Sequence, residues 1–300
     1  MLKIAWSDVY NHPLPEGHRF PMIKYDLIPE QLLYEGSIKA ENIFKPVVPT
    51  EELILTTHDS NYWYKLKTLR LSASEIRKIG FPLSQKLIER EIIIMNGTVQ
   101  TALNALQNGI SMNVAGGTHH AFTNRGEGFC LLNDMAIAAN YILQSGLVKK
   151  ILIVDLDVHQ GNGTAEIFKN NPDVFTFSMH GASNYPAHKE ISDLDIALDD
   201  KTEDKQYLKV LADTLPGLVE KEKPDFIFYQ SGVDVLATDK LGKLSLSKEG
   251  CKVRDHYVLT LCKQHNIPIS VSMGGGYSEK ISDIVDAHCN TFRLAQEIFF

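Results

Sequence analysis

Short apolar runs alternate with longer amphipathic stretches through most of this chain. Five runs read as strands: residues 112–115, 151–155, 174–179, 226–230 and 267–273. They are rich in Val, Ile and Phe and too short to be buried helices. Helical patterns lie between and after them, near 134–144, 205–222, 248–265 and 281–299. Strands alternating with helices predict an α/β fold, an open parallel sheet with helices on both faces. Residues 83–107 place Ile88, Ile92, Met95, Val99, Ala102 and Leu106 at spacings of four and three, which predicts a long amphipathic helix ended by Gly109. The first third is less regular. Residues 2–6 read as a strand, and prolines at 13, 15 and 21 keep 11–22 out of helix until a helix begins over 21–34. Residues 43–57 read as a strand with connections, 58–69 as a helix and 70–82 as a short helix followed by surface structure. Polar residues from 180 to about 202 read as a loop. No repeat or linker composition divides the chain, so one domain is expected over 1–300.

The stretch Ile151–Thr164, ILIVDLDVHQGNGT, changes character at the end of its strand. Side chains alternate along extended backbone, so Asp155, Asp157 and His159 are expected on one side. A lone aspartate at a strand end is commonly only a helix cap. Two carboxylates and an imidazole at period two favour a metal site. Three further strands end in unusual chemistry: Gly116-Gly117-Thr118-His119-His120, Gly232-Val233-Asp234 and Gly274-Gly275-Gly276-Tyr277. Each has a plain reading as a surface loop, a cap or a flexible turn. Ligands of open parallel sheets bind beyond the carboxyl ends of the strands, and four such ends on one edge make a site the stronger reading.

Charge and cysteine content narrow the class. Thirty basic against 37 acidic residues, net −7, argue against direct nucleic-acid binding driven by overall charge. Cys130, Cys251, Cys262 and Cys289 are widely spaced with no CxxC pair, as expected of free thiols in a reducing compartment. The chain opens on a strand-like LKIAW with no signal-peptide core and has no membrane-length apolar run. The expected location is the cytoplasm.

GGTHHA, GFCLLND (128–134), DLDVHQGNGT, SGVD and MGGGY, in this order, resemble the histone deacetylase family. HPLPEGHRFPM and IGFP (79–82) look most like its class IV branch and bacterial relatives. The resemblance implies an arginase–deacetylase type of fold and a zinc-dependent amidohydrolase acting on acylated lysine or amines. It assigns one catalytic Zn2+ to Asp157, His159 and Asp234, which would leave a fourth position for water. It makes His120 the general base, His119 its companion held by Asp155, and Tyr277 the donor to the developing oxyanion. Gly128, Phe129, Tyr185 and Leu241 match channel walls, and a structural K+ is implied near Ser178 and the 155–159 backbone. Asn162 stands behind His120 where some members carry aspartate, so His120 is expected to stay neutral more readily. No acidic residue in 70–82 matches the family's substrate-holding rim aspartate, Glu75 being the nearest. An arginase-type two-metal hydrolase and a non-catalytic acyl-lysine reader are the rivals, with an acetylpolyamine deacetylase the main alternative within the class. Gly116, Gly117 and Gly274–Gly276 lack side chains, which leads to an expectation of room for acyl chains longer than acetyl.

Overall fold

The computed structural model describes residues 1–300. Its strands are β1 (Lys3–Ala5), β2 (Ile43–Phe44), β3 (Ile110–Asn113), β4 (Ile151–Asp155), β5 (Val174–Gly181), β6 (Leu194–Leu198), β7 (Phe226–Gln230) and β8 (Ile269–Ser272). They form one sheet in the order β2-β1-β3-β8-β7-β4-β5-β6, and every neighbouring pair is parallel. The helices are α1 (Lys24–Tyr34), α2 (Glu51–Leu55), α3 (Ser60–Lys67), α4 (Ala73–Ile79) and α5 (Gln85–Asn108) in the first part. They continue with α6 (Asp134–Gln144), α7 (Asn162–Phe168), α8 (Asp204–Glu222), α9 (Lys248–Gln264) and α10 (Ile281–Phe299). α5 and α6 pack together against the sheet, while α1, α10, α9 and α8 form a second, successive row. Central strands β3, β4, β7 and β8 are buried throughout, as expected where both faces are covered. A single cluster of 77 buried residues makes the core, so sheet and helices fold around one interior.

Local rules explain most boundaries. Ser84 caps α5 by accepting from Leu87 N at 3.2 Å, and Gly109 ends it with φ 85°. The buried stripe of α5 includes Ile88, Glu91, Met95, Thr98, Ala102 and Ala105, and Ile92 and Leu106 are only partly covered. Val99 is buried too, so four of the six expected positions are covered and the other two pack against the core. The buried face is wider than the expected stripe, taking in Glu91 as the partner of buried Arg90. α7 begins at Asn162, earlier than the apolar residues suggest. The polar stretch after β5 contains β6, which the sequence pattern does not reveal. β6 pairs on one side only and is mostly half-exposed, so selection for apolar residues is weak there.

Four site-bearing strands stand side by side in the order β3-β8-β7-β4. The chain leaves β3 and enters β4 three places away, and β8 and β7 later fill the gap. A reversal of strand order of this kind opens a crevice beyond the carboxyl ends.

Candidate active site

β4 ends at Asp155, so the next residues converge through turns rather than through the strand pleat. Asp155 Oδ1 accepts from Asp157 N at 3.1 Å, and Asp157 Oδ1 accepts from His159 N at 3.0 Å. Each carboxylate thus closes a turn onto the amide two residues ahead. Asp155 turns its other oxygen to His119 Nδ1 at 2.6 Å. Asp157, His159 and Asp234 face one another instead, with three possible ligand atoms within 4.8 Å. Their fixing is mutual: Asp234 Oδ1 accepts from Val158 N at 3.0 Å, and Asp157 Oδ2 from Gly275 N at 2.8 Å. Gly275 is required here because a Cβ would run into the Asp234 carboxylate.

The electrostatics of this trio call for a cation. Burial and the neighbouring Asp157 push the Asp234 carboxyl up to about 7. Burial pulls His159 down, but its bond to Asp157 and the Asp234 carboxylate close against it outweigh this and raise it to about 10. Asp234 Oδ2 is fully buried and lies 3.2 Å from His159 Nδ1, but out of line for a hydrogen bond with it, and no other donor reaches it. A buried oxygen left this way is costly unless a proton or metal ion satisfies it. Two carboxylates and one imidazole are a donor set suited to a divalent metal.

His119 and His120 lie side by side, their ring centres 4.1 Å apart. Their partners set them apart. Burial pulls His119 down, yet Asp155 and Asp157 prevail and raise it. His120 Nδ1 instead meets the neutral Asn162 Oδ1 at 2.6 Å. Burial, with His119 and His159 close by, holds His120 well below the ordinary imidazole range. Tyr277 lines the same cavity as His119, His120, Asp157 and His159. Burial and the charges of Asp234 and Asp157 raise its phenol well above the ordinary value, so it is a hydrogen-bond donor.

Outside these groups lies a wider mouth of about 240 Å3, where Gly128, Phe129, Tyr185 and Leu241 all form part of the wall. Gly128 has φ 53°, and a Cβ there would press on His120 at 2.7 Å. Phe129 also has positive φ, 67°, an uncommon conformation for a bulky residue that is seen at ligand-facing sites. Glu75 does not reach the mouth: it forms a capping box with Ser72 at the start of α4. Ser178 sits on β5 opposite Asp155 in register, with its hydroxyl 3.0 Å from His180 Nδ1.

The glycines do not open a chamber behind the site. A Cβ on Gly117 would meet Gly274 Cα at 2.8 Å and Gln230 Oε1 at 2.9 Å. The inner cavity holds about 40 Å3, room for about three water-sized groups. The expected space for a long acyl chain is therefore filled by close-packed backbone and by Tyr25, Ile94 and Arg90 around it.

Three supporting residues escape a reading of the strand ends. Asp134, fully buried, accepts from Gly117 N, Thr118 N, Thr118 Oγ1, Thr98 Oγ1 and Ser272 Oγ at 2.6–3.1 Å, fixing the loop that presents both histidines. Arg254 on α9 donates through Nη1 to Leu156 O at 3.1 Å and Gly232 O at 2.7 Å. It thereby ties together the two loops that carry the trio. Lys24, also fully buried, reaches Gly274 O at 3.2 Å with its ammonium 5.9 Å from the Tyr277 ring centre. Burial lowers Lys24 to about 8 against the pull of Asp234 and Asp157. The ND in GFCLLND was visible in sequence without a role, whereas Lys24 and Arg254 lie on helices far along the chain from the motifs they support.

Residues 18–292 match the histone deacetylase domain model, and the chain belongs to the histone deacetylase family. It is a hydrolytic deacetylase of a generally metal-dependent family that acts on acylated amines. The chain is 43% identical over 296 residues to an uncharacterized protein of Picosynechococcus sp., covering 99% of both. It is 28% identical to the acetoin utilization protein AcuC of Staphylococcus aureus, over 88% of this chain and 73% of that one. Histone deacetylase 2 of Arabidopsis thaliana is 26% identical over 89% of this chain and 72% of its own. A crystal structure of a histone deacetylase homologue complexed with SAHA superposes with a TM-score of 0.85 at 23% identity, covering 99% of this chain and 84% of that one. The homologue from Aquifex aeolicus gives 0.83 at 23% identity, with 98% and 84% covered. These two likenesses establish the fold.

Proposed function

We propose that this deacetylase removes a short acyl group, acetyl above all, from lysine side chains with one zinc ion held by Asp157, His159 and Asp234. The observation that carries the reading is the unpartnered, buried Asp234 Oδ2 within a ligand trio that shares its cavity with His120 and Tyr277. A bound divalent ion supplies Lewis acidity toward an amide carbonyl and makes a neighbouring water more acidic. His120, kept neutral, takes the proton of the attacking water and returns it to the leaving lysine nitrogen. His119, held by Asp155, orients the pair. The Tyr277 phenol donates to the oxygen on which negative charge develops. The slot between Phe129 and Tyr185 takes the lysine methylenes, and the narrow inner cavity favours acetyl over long chains.

The class IV likeness of the opening motifs and a potassium ion near Ser178 belong to the same proposal. All four cysteines are buried free thiols, which supports a reducing, cytoplasmic setting. No helix is long and apolar enough to cross a membrane. The test is metal analysis of the purified protein, followed by chelation and re-addition of Zn2+, Co2+ or Fe2+. Rates are then measured on acetyl-, decanoyl- and myristoyl-lysine peptides and on acetylpolyamines. Zinc-restored hydrolysis with acetyl-lysine preferred is expected. A higher kcat/KM for decanoyl-lysine would show that the inner cavity opens, and activity confined to acetylpolyamines would reject the lysine reading.

A further inference from the structure

The mouth of the site is cationic although the chain as a whole is acidic. Arg19, Lys78 and Lys243 contribute to its wall, and no aspartate or glutamate does. All three are exposed and come from separate elements: the segment before α1, the last turn of α4 and the loop after β7. Single surface lysines are normally just solvated charges. Three cations around one opening, in a chain of net charge −7, are a local reversal of the surrounding field.

All three line the opening, and none of them is in a direct ion pair with a carboxylate. Arg19 lies 5.0 Å over the Phe129 ring, on the channel wall itself. Lys243 Nζ donates to Ser183 O and Oγ at 3.1 and 2.9 Å, and that hydroxyl in turn donates to Asp200, which lies outside the wall of the mouth. Lys78 is tied to the wall through its carbonyl, which accepts from Gly128 N at 3.0 Å. Of the acids close by, Glu127 is already engaged by Arg125 at 2.8 Å and by the Tyr185 hydroxyl at 2.9 Å, and Asp239 by the amides of Leu241, Gly242 and Tyr277.

We infer that the mouth selects acyl-lysine flanked by acidic residues in a peptide or protein and repels polycationic substrates. This rests on the lysine-deacylase reading above. Acylation removes the lysine charge, so the buried slot receives a neutral chain whatever the substrate. The flanking residues of the substrate stay outside the slot and meet Arg19, Lys78 and Lys243. Glutamate or aspartate there is attracted, whereas a lysine-rich flank or the remaining ammonium groups of an acetylpolyamine are pushed away.

The experiment compares kcat/KM on three acetyl-lysine peptides of equal length, with glutamate, serine or lysine flanks, and on N-acetylspermidine. It is run at low and at high salt, with the wild type and an Arg19→Gln/Lys78→Gln/Lys243→Gln variant. The acidic peptide is expected to exceed the basic one by about tenfold at low salt. The ratio should shrink toward one at high salt, as screened exposed charges require, and should collapse in the triple variant. Because each ratio is taken within one protein, a general loss of activity does not imitate the result. Equal rates on acidic and basic peptides, or a preference that survives the triple substitution, overturn the inference while leaving the deacylase reading intact. Hydrolysis of none of the peptides overturns both.

Discussion

Under the proposed mechanism, Asn162 sets the pH range in which His120 serves as base. It offers His120 a neutral oxygen at 2.6 Å, and burial keeps that imidazole low. A base must be unprotonated to act, so the acidic limb of kcat/KM should lie below the ordinary histidine range. Asn162→Asp places a charge at the same atom, which favours the imidazolium and raises the His120 pKa. The acidic limb should then move up by about one pH unit or more, read from a pH–rate profile. A limb that stays in place would mean another group sets it. Tyr277 is tested by removing one oxygen. Tyr277→Phe should lower kcat by about two to three orders of magnitude with KM little changed. Asp234→Asn keeps the shape of the trio and removes charge from its unpartnered oxygen, so the purified variant should lose most of its metal by elemental analysis.

At the scale of elements, the site exists because helices reach across to the loops of the sheet. Arg254 joins the Leu156 and Gly232 carbonyls, and its Nε meets Asp255 at 2.8 Å. Asp255 in turn accepts from Tyr229 and Thr291, binding α9 to β7 and α10. Arg254→Met would leave Asp255 buried beside the site without its cation. Such a half-removed buried pair costs about 3–5 kcal/mol, to be read by chemical denaturation. Metal affinity should also weaken, since the ligand loops lose their common tie, and this is measured by competition with a chromogenic chelator. Asp134→Asn tests the other loop. The amide cannot accept from all five donors at once, so activity should fall with little change in metal content.

For the molecule as a whole, an ion held by the proposed trio would link metal binding to folding. An ion that binds only the native state adds RT ln(1 + [L]/Kd), about 2.7 kcal/mol at a hundredfold excess over Kd. Chelation should therefore lower Tm in a scanning experiment, re-addition should restore it, and Asp234→Asn should respond to neither. An unchanged Tm would count against a resident ion at the trio.

The repeated strand and helix periods were sufficient for the parallel sheet, because a strand buried on both faces must be apolar along its length. Asp157, His159, Asp234, His120 and Tyr277 were legible as candidates, since polar residues at the ends of such strands stand out. β6 was not, because an edge strand needs apolar residues on little of its surface. Nor were Lys24 and Arg254, single cations on helices whose burial depends on what the sheet brings beside them. The turns that aim Asp155 at His119 and Asp157 at the trio arise from carboxylate-to-amide bonds rather than from the pleat. The size of the inner cavity lay still further from the sequence. Glycine in a chain marks either an opening or a close approach, and only the packing of Gly117 on Gly274 and of Gly275 on Asp234 decided for close approach.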